Sequence, residues 1–312
     1  MSKSLLRTAL LGALLAFTIG CQQQSQDAAA PAVQGAQANS PDAVLMATVK
    51  SLKNGDFDGL MKNALPPAEY ARIKADWGKD QEPISDEDRA KFAETIGKLT
   101  APDAEKTLFA EIEPQLSAFD AQYQQQVPMY VAMGTGWLQS TIQQNKDMSE
   151  EAKTQALAAV NALGKWVTDT RFTDPDKVKQ VLAIAVKGAR DLNLKTLDEA
   201  RALSYDEGMA KGRAVFGSFK DALKVYGLSL DDTLDSIKAE VVSNDGKNAK
   251  LKLSYTLLGT PLTGEAEMVQ VDGRWYGKDT IDKLNEKALA SNGAGNGAVQ
   301  AAEGAAKAPS KD

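Results

Sequence analysis

Apolar residues recur at three- and four-residue spacing through most of residues 41–236, and after Ile237 the spacing drops to two. The first pattern predicts amphipathic helices and the second predicts strands with one covered face. Ser40-Pro41-Asp42 opens a helix carrying Val44, Leu45, Val49 and Leu52, which Asn54-Gly55 should stop. Asp56 begins a second short helix through Leu60 and Met61. Ser85 caps a helix with Phe92, Ile96 and Leu99 on one face. Thr100-Ala101-Pro102-Asp103 opens another with Leu108, Ile112, Leu116, Phe119 and Tyr123, which Pro114 is predicted to kink or split.

Ser149-Glu150-Glu151 starts a helix bearing Leu157, Val160, Leu163 and Val167. Asp174-Pro175 places a cap before an N-terminal proline, and Val178, Val181, Leu182, Ala185 and Val186 follow. Thr196-Leu197-Asp198-Glu199 reads as a capping box. Residues 205–226 carry Met209, Phe216, Phe219, Leu223 and Tyr226, with Gly227 as the stop.

Four strands are predicted at Ile237–Ser243, Ala249–Leu258, Thr263–Val271 and Arg274–Lys278. Asn244-Asp245-Gly246-Lys247 and Asp272-Gly273 supply hairpin turns. Leu251, Leu253, Tyr255 and Leu257 alternate with Lys250, Lys252, Ser254 and Thr256, the mark of a sheet with one buried face. The fold class is therefore α+β: a predominantly helical body at 41–236, and an antiparallel meander of three to four strands packed on it at 237–290. A final helix runs from Thr280 to about Ala290. No internal repeat is evident.

The ends of the chain read differently. Lys3 and Arg7 precede an apolar stretch from Leu5 to Ile19 that is too short for a bilayer span of ~20 residues. It suits the hydrophobic region of an export signal, ~7–15 residues. Thr18-Ile19-Gly20-Cys21 closes it, and a small residue directly before a cysteine resembles the lipobox of bacterial lipoproteins. Thr18 stands where leucine is usual. The resemblance implies signal cleavage between Gly20 and Cys21, diacylation of Cys21, and acylation (palmitate or similar) of its new amino group. Residues 21–40 read as a lipidated tether rich in Gln, Ala and Ser, and 291–312 as a Gly- and Ala-rich disordered tail. Gln22, rather than aspartate, follows the cysteine, which favours the outer membrane over the inner, with the domain facing the periplasm.

Charge and composition then exclude several chemistries. Cleavage removes Lys3 and Arg7 and leaves 34 basic against 42 acidic side chains, a net charge of −8. An acidic chain without a basic run is not a nucleic-acid binder. Without a polybasic patch, attachment to the lipid bilayer must come from acylated Cys21. The chain has no histidine, and Cys21 is its only cysteine. That removes Ser-His-Asp and Cys-His catalysis and thiolate or imidazole metal sites. Carboxylate pairs remain open. No cofactor and no metal is predicted.

Two segments resemble the ends of NTF2-like envelope domains. One is the apolar helix leading into Asn54-Gly55-Asp56-Phe57-Asp58-Gly59-Leu60. The other is the terminal meander Val269-Gln270-Val271-Asp272-Gly273-Arg274-Trp275-Tyr276. The resemblance implies a curved sheet wrapped around helices, a pocket at its open end, and a large helical insertion between the segments. The histidine that enzymes of that superfamily use has no counterpart here.

Candidate sites follow. Tyr255, Trp275 and Tyr276 are possible pocket-lining residues, with aromatic packing as the plainer alternative. Val127–Leu138 is an apolar run with Gly134 and Gly136, read as a buried helix in preference to a ligand groove or membrane-contacting segment. Gly208, Gly212 and Gly217 suggest a close helix crossing. Asp169, Asp174 and Asp176, and also Asp231, Asp232 and Asp235, suggest a calcium site but lack EF-hand spacing, and Asp174 and Asp232 read better as helix-start residues. Ser218-Phe219-Lys220 carries no weight as a dyad. The function these readings support is a non-enzymatic envelope lipoprotein that binds a partner protein or hydrophobic ligand, or supports envelope structure. A carboxylate-based hydrolase of cell-wall or lipid substrates and an inhibitor or assembly factor are the alternatives.

Overall fold

A computed structural model describes residues 39–79, 81–146 and 148–287, the side chains of 121–125 excepted. The export signal, Cys21, most of the tether and the tail lie outside the described residues. Helix α1 (Pro41–Lys53) ends as its sequence requires. Gly55 takes φ +60°. Its N–H donates to Leu52 O at 3.0 Å, and Asp56 N–H donates to Ser51 O at 2.8 Å. This paired return is a Schellman motif, and it satisfies carbonyls the helix end would otherwise orphan.

Helices α2 (Phe57–Ala64), α3 (Pro67–Ala75) and α4 (Asp86–Thr100) follow. Next come α5 (Ala104–Gln144), α6 (Glu150–Asp169) and α7 (Pro175–Leu192). The body closes with α8 (Leu197–Arg201), α9 (Tyr205–Val225) and α10 (Leu230–Asp235). The caps read from sequence are in place: Ser85 accepts from Asp88 N, Ser149 from Ala152 N, and Asp174 from Asp176 N and Lys177 N. Each is worth ~1 kcal/mol. Thr196 and Glu199 form a complete capping box, and so do Ser204 and Glu207.

Helix α5 is not split at Pro114. It is one continuous helix of 41 residues with Pro114 and Pro128 inside it, ~60 Å long. Each proline removes a backbone hydrogen bond, but α4 and α7 contact α5, and α6 runs antiparallel to it. That tertiary support carries the helix across both prolines. Residues 127–138 are not a buried helix either. Val131 and Thr135 turn toward Gly164 of α6, while Met129, Tyr130, Met133 and Trp137 face outward, exposed.

The sheet holds four antiparallel strands in the order β1-β2-β3-β4. They are β1 (Lys238–Asn244), β2 (Asn248–Leu257), β3 (Thr260–Val271) and β4 (Arg274–Gly277). Along β2, Ala249, Leu251 and Leu253 are buried, and Lys250, Lys252 and Ser254 are exposed. Ala249, Leu251, Met268 and Trp275 make the core of this face, with Val44 and Leu45 of α1 packed on it. Helix α6 covers β3, and Gln155 Oε1 accepts from Thr263 N–H at 2.9 Å. Residues 278–287 form a closing helix, starting slightly earlier than Thr280. In the helical body, Val178, Val186 and Ala189 of α7 and Phe216 of α9 are buried. No described helix is long and apolar enough to cross a membrane.

Candidate functional site

The most connected polar cluster lies where α2, α3 and α9 meet. Asp56 caps α2, its side chain accepting from Gly59 N, and this fixes the helix start that presents Asp58. Asp58 Oδ1 accepts from Tyr70 Oη at 2.6 Å and from Tyr205 Oη at 2.9 Å. Lys62, one turn along α2, pairs with its other oxygen at 2.5 Å. Tyr205 is the first residue of α9, held there by the Ser204–Glu207 box. Burial favours the neutral acid, but the hydrogen bonds from Lys62, Tyr70 and Tyr205 outweigh it and bring the Asp58 carboxyl down to about 2. Burial and then the Asp58 hydrogen bond push the Tyr205 phenol up.

Aromatic packing completes the cluster. Trp77 meets Tyr205 edge to face at 5.5 Å between centroids, and Tyr70 does so at 6.5 Å. The Trp77 indole N–H donates to Leu203 O at 2.8 Å. Lys74 Nζ sits 4.6 Å from the Tyr205 ring centroid and pairs with Asp206 at 3.0 Å. Gly208 is what lets the indole in. A Cβ there would lie 2.5 Å from Trp77 Cζ2.

A shallow cleft of about 300 Å³ borders this cluster, lined by Asp56, Phe57, Asp58, Asp206, Met209, Ala210 and Arg213. Its three carboxylates each have a cation: Asp56 with Arg213 at 3.4 Å, Asp58 with Lys62, and Asp206 with Lys74. Chemically the cluster is a clasp. Its acid is far too strong to deliver a proton near neutrality, and its buried phenol holds its own proton tightly. Among the described residues, every carboxylate with a displaced pKa (Asp58, Glu69, Asp120, Asp198, Glu207 and Asp245) is displaced downward.

A second clasp ties α5 to the α6–α7 connection. Arg171 reaches Asp120 through two nitrogens, at 3.0 and 2.5 Å, and the nearly buried Thr173 hydroxyl donates to the same carboxylate at 2.5 Å. The Arg171 and Thr173 hydrogen bonds hold the Asp120 carboxyl below its ordinary range. Next to it, Phe172 packs between Trp166 and Tyr226.

The residues singled out from sequence are dispersed. Trp275 and Tyr276 are adjacent on β4 and so face opposite sides of the sheet; both are buried. Trp275 belongs to the core under α1 and edges a cleft of about 170 Å³ with Asn39, Ala43, Val44, Ala47, Asn63 and Arg274. Arg274 stacks 5.8 Å from the Tyr276 ring centroid. Tyr255 lies on the core face opposite Leu262, toward the other end of β2. The three aromatic residues do not converge on one pocket.

Of the glycines, Gly208 accommodates an indole, Gly212 makes ordinary contact with Phe57, and Gly217 meets nothing within 4 Å. Close helix crossings lie elsewhere: at Gly164 of α6, where a Cβ would stand 2.8 Å from Thr135 Cγ2 of α5, and at Gly188 of α7, where one would stand 2.8 Å from Ser218 Oγ of α9. That places Ser218 against α7. Lys220 turns away, donating to Lys53 O at 2.7 Å and Asp231 at 2.6 Å, so the two make no dyad. Asp174 is a helix cap, Asp232 lies in the first turn of α10, and Asp235 pairs with Lys53 at 2.5 Å. Among the described residues no group of three His, Cys, Asp or Glu side chains is arranged to hold a metal ion.

The sequence does not single out Tyr70 or Tyr205, and Asp58 figures there only within the Asn54–Leu60 segment that resembles NTF2-like domains. No local signal marks them, because the phenols meet the carboxylate across 12 and 147 residues of chain. No protein-family model, curated protein or solved structure matches this chain.

Proposed function

We propose that this chain is an acylated envelope protein, tethered through Cys21 and acting by binding rather than by catalysis. The observation that carries the reading is Cys21 itself. It is the only cysteine of the chain, it follows Gly20, and it closes an apolar export signal. Two or three acyl chains meet the requirement for stable anchoring, which one does not. Gln22 supports placement in the outer membrane, facing the periplasm.

Two further observations support binding over catalysis. The chain lacks histidine and a second cysteine. The carboxylates lining the larger cleft are each paired with a cation, which speaks against a carboxylate hydrolase at that site.

The test is metabolic labelling with an alkynyl fatty acid in cells producing the wild type or Cys21→Ser. The wild type should label and sediment with outer-membrane fractions, and the variant should do neither. A variant that still labels and partitions with membrane would overturn the anchor.

A further inference from the structure

The longest stretch of this chain without a charged side chain is internal. Residues 121–145 contain no Asp, Glu, Lys or Arg, although a quarter of all residues are charged. This stretch falls on α5, on a helix with only one side covered. Val131 and Thr135 turn inward to Gly164 of α6, and Gln139 hydrogen-bonds Asn161 of α6 at 2.9 Å. With 3.6 residues per turn, Met129, Tyr130, Met133 and Trp137 fall within an outward arc of about 100°. They are between 52% and 68% exposed. The arc extends to Gln126 and Ser140, which are polar but uncharged. The largest side chains of this segment face solvent, and the smaller ones face the protein.

We propose that this face of α5 rests on a lipid bilayer, at the interface between headgroups and acyl chains. Three observations select a lipid surface. The first is chemistry. Trp and Tyr are the residues enriched where one end of a side chain is apolar and the other is wet, and Met supplies flexible apolar surface beside them. An acidic chain is repelled by anionic lipid, and this is its longest segment without charge.

The second is area. Taking ~200 Å² for each side chain, the four expose on the order of 500 Å². That is enough to mark a contact site. It falls short of the ~800 Å² per partner that a stable protein dimer covers. The third is reach. Asn39, whose side chain donates to Gly273 O at 3.0 Å, is separated from Cys21 by 18 peptide units, which span at most ~60 Å. An acyl anchor at Cys21 therefore keeps Asn39, where the described domain begins, within ~60 Å of the membrane, at high local concentration.

The geometry of the proposal rests on acylation of Cys21, but its test does not. The full mature chain carrying Cys21→Ser is mixed with vesicles of phosphatidylethanolamine and phosphatidylglycerol and sedimented. Its bound-to-free ratio should exceed by at least ten-fold that of the same chain with Met129→Gln, Met133→Gln and Trp137→Gln. A vesicle-induced blue shift of indole emission should vanish in Trp137→Phe. Trp137→Gln alone, at a mostly exposed position, keeps the test valid if the triple variant fails to fold. Equal ratios in all variants would overturn the proposal. So would a dimer that the triple variant abolishes, with no vesicle binding. Acyl labelling of the wild type reads the anchor separately. Labelling without α5-dependent binding defeats this proposal alone, and binding without labelling defeats the anchor alone.

Discussion

Tyr205 Oη donates to Asp58 Oδ1 at 2.9 Å, joining the first turn of α9 to α2 across 147 residues of chain. Tyr70 and Lys62 complete the shell around that carboxylate. A carboxylate so supplied is a fixed point, because removing its charge leaves two phenols and an ammonium arranged around nothing.

The Asp58 carboxyl is brought from an ordinary 3.8 down to about 2, so its contribution to stability is present above pH 4 and is lost as pH falls toward 2. The side chain is about a quarter exposed, which discounts the effect to ~1–2 kcal/mol. Asp58→Asn should lower the free energy of unfolding by urea at pH 7 by that amount. The gap between wild type and variant should narrow below pH 4 and close near pH 2. A gap that stays constant from pH 7 to pH 2 would show that Asp58 works through shape alone.

Gly208 and Gly217 lie on the same helix, yet the same substitution should have opposite effects at the two. Gly208→Ala drives a methyl group into Trp77 and should displace the indole from Leu203 O, costing ~1–3 kcal/mol through overpacking. A changed indole emission should accompany the loss. At Gly217 a methyl group meets open space inside a helix, so Gly217→Ala should gain ~0.5–1 kcal/mol. Thermal melts of the two single variants decide it: Gly208→Ala should melt lower than wild type and Gly217→Ala higher.

The sheet tests whether its aromatic residues serve the core or a ligand. Trp275 and Tyr276 are buried on opposite faces of β4. Trp275→Ala should therefore cost ~3–5 kcal/mol, and so should Tyr276→Ala, while Leu251→Ala should cost ~2–5 kcal/mol. A ligand-lining role predicts the reverse for Trp275: an unchanged unfolding midpoint in the free protein.

What the sequence revealed was local, and what it hid was tertiary. The Asn54-Gly55 stop, the Thr196–Glu199 box and the alternation of β2 are encoded within a few residues, and all stand in the structure. The start of β3 was misplaced because its turn is disguised. Leu258 and Gly259 make a two-residue hairpin with φ of 51° and 79°. A leucine in that region is uncommon and costs ~1–2 kcal/mol, so it gives no turn signal. Pro261 pairs with Thr256 where β4 is too short to need its missing N–H.

The Val127–Leu138 run was read as core because it is apolar. Apolarity alone does not distinguish a helix covered on all sides from one covered on a single side. The clasp at Asp58 was invisible for a different reason: only the fold brings Tyr70 and Tyr205 to one oxygen.

The contact between α7 and α9 offers a test that separates close packing from helix propensity. A methyl group on Gly188 would approach Ser218 Oγ to 2.8 Å, while Ser218 Cβ lies at an ordinary 3.5 Å. Gly188→Ala thus combines a gain of ~1 kcal/mol in helix propensity with a steric cost of ~1–3 kcal/mol. The single variant should be neutral to destabilised. Ser218→Ala removes only the offending oxygen and should have little effect by itself. In that background Gly188→Ala should become stabilising by up to ~1 kcal/mol. The coupling between the two substitutions, read as a double-mutant cycle of urea midpoints, should be ~1–2 kcal/mol and favourable. Additive effects would mean that α7 and α9 already have room for the methyl group, and that the glycine is not what sets their spacing.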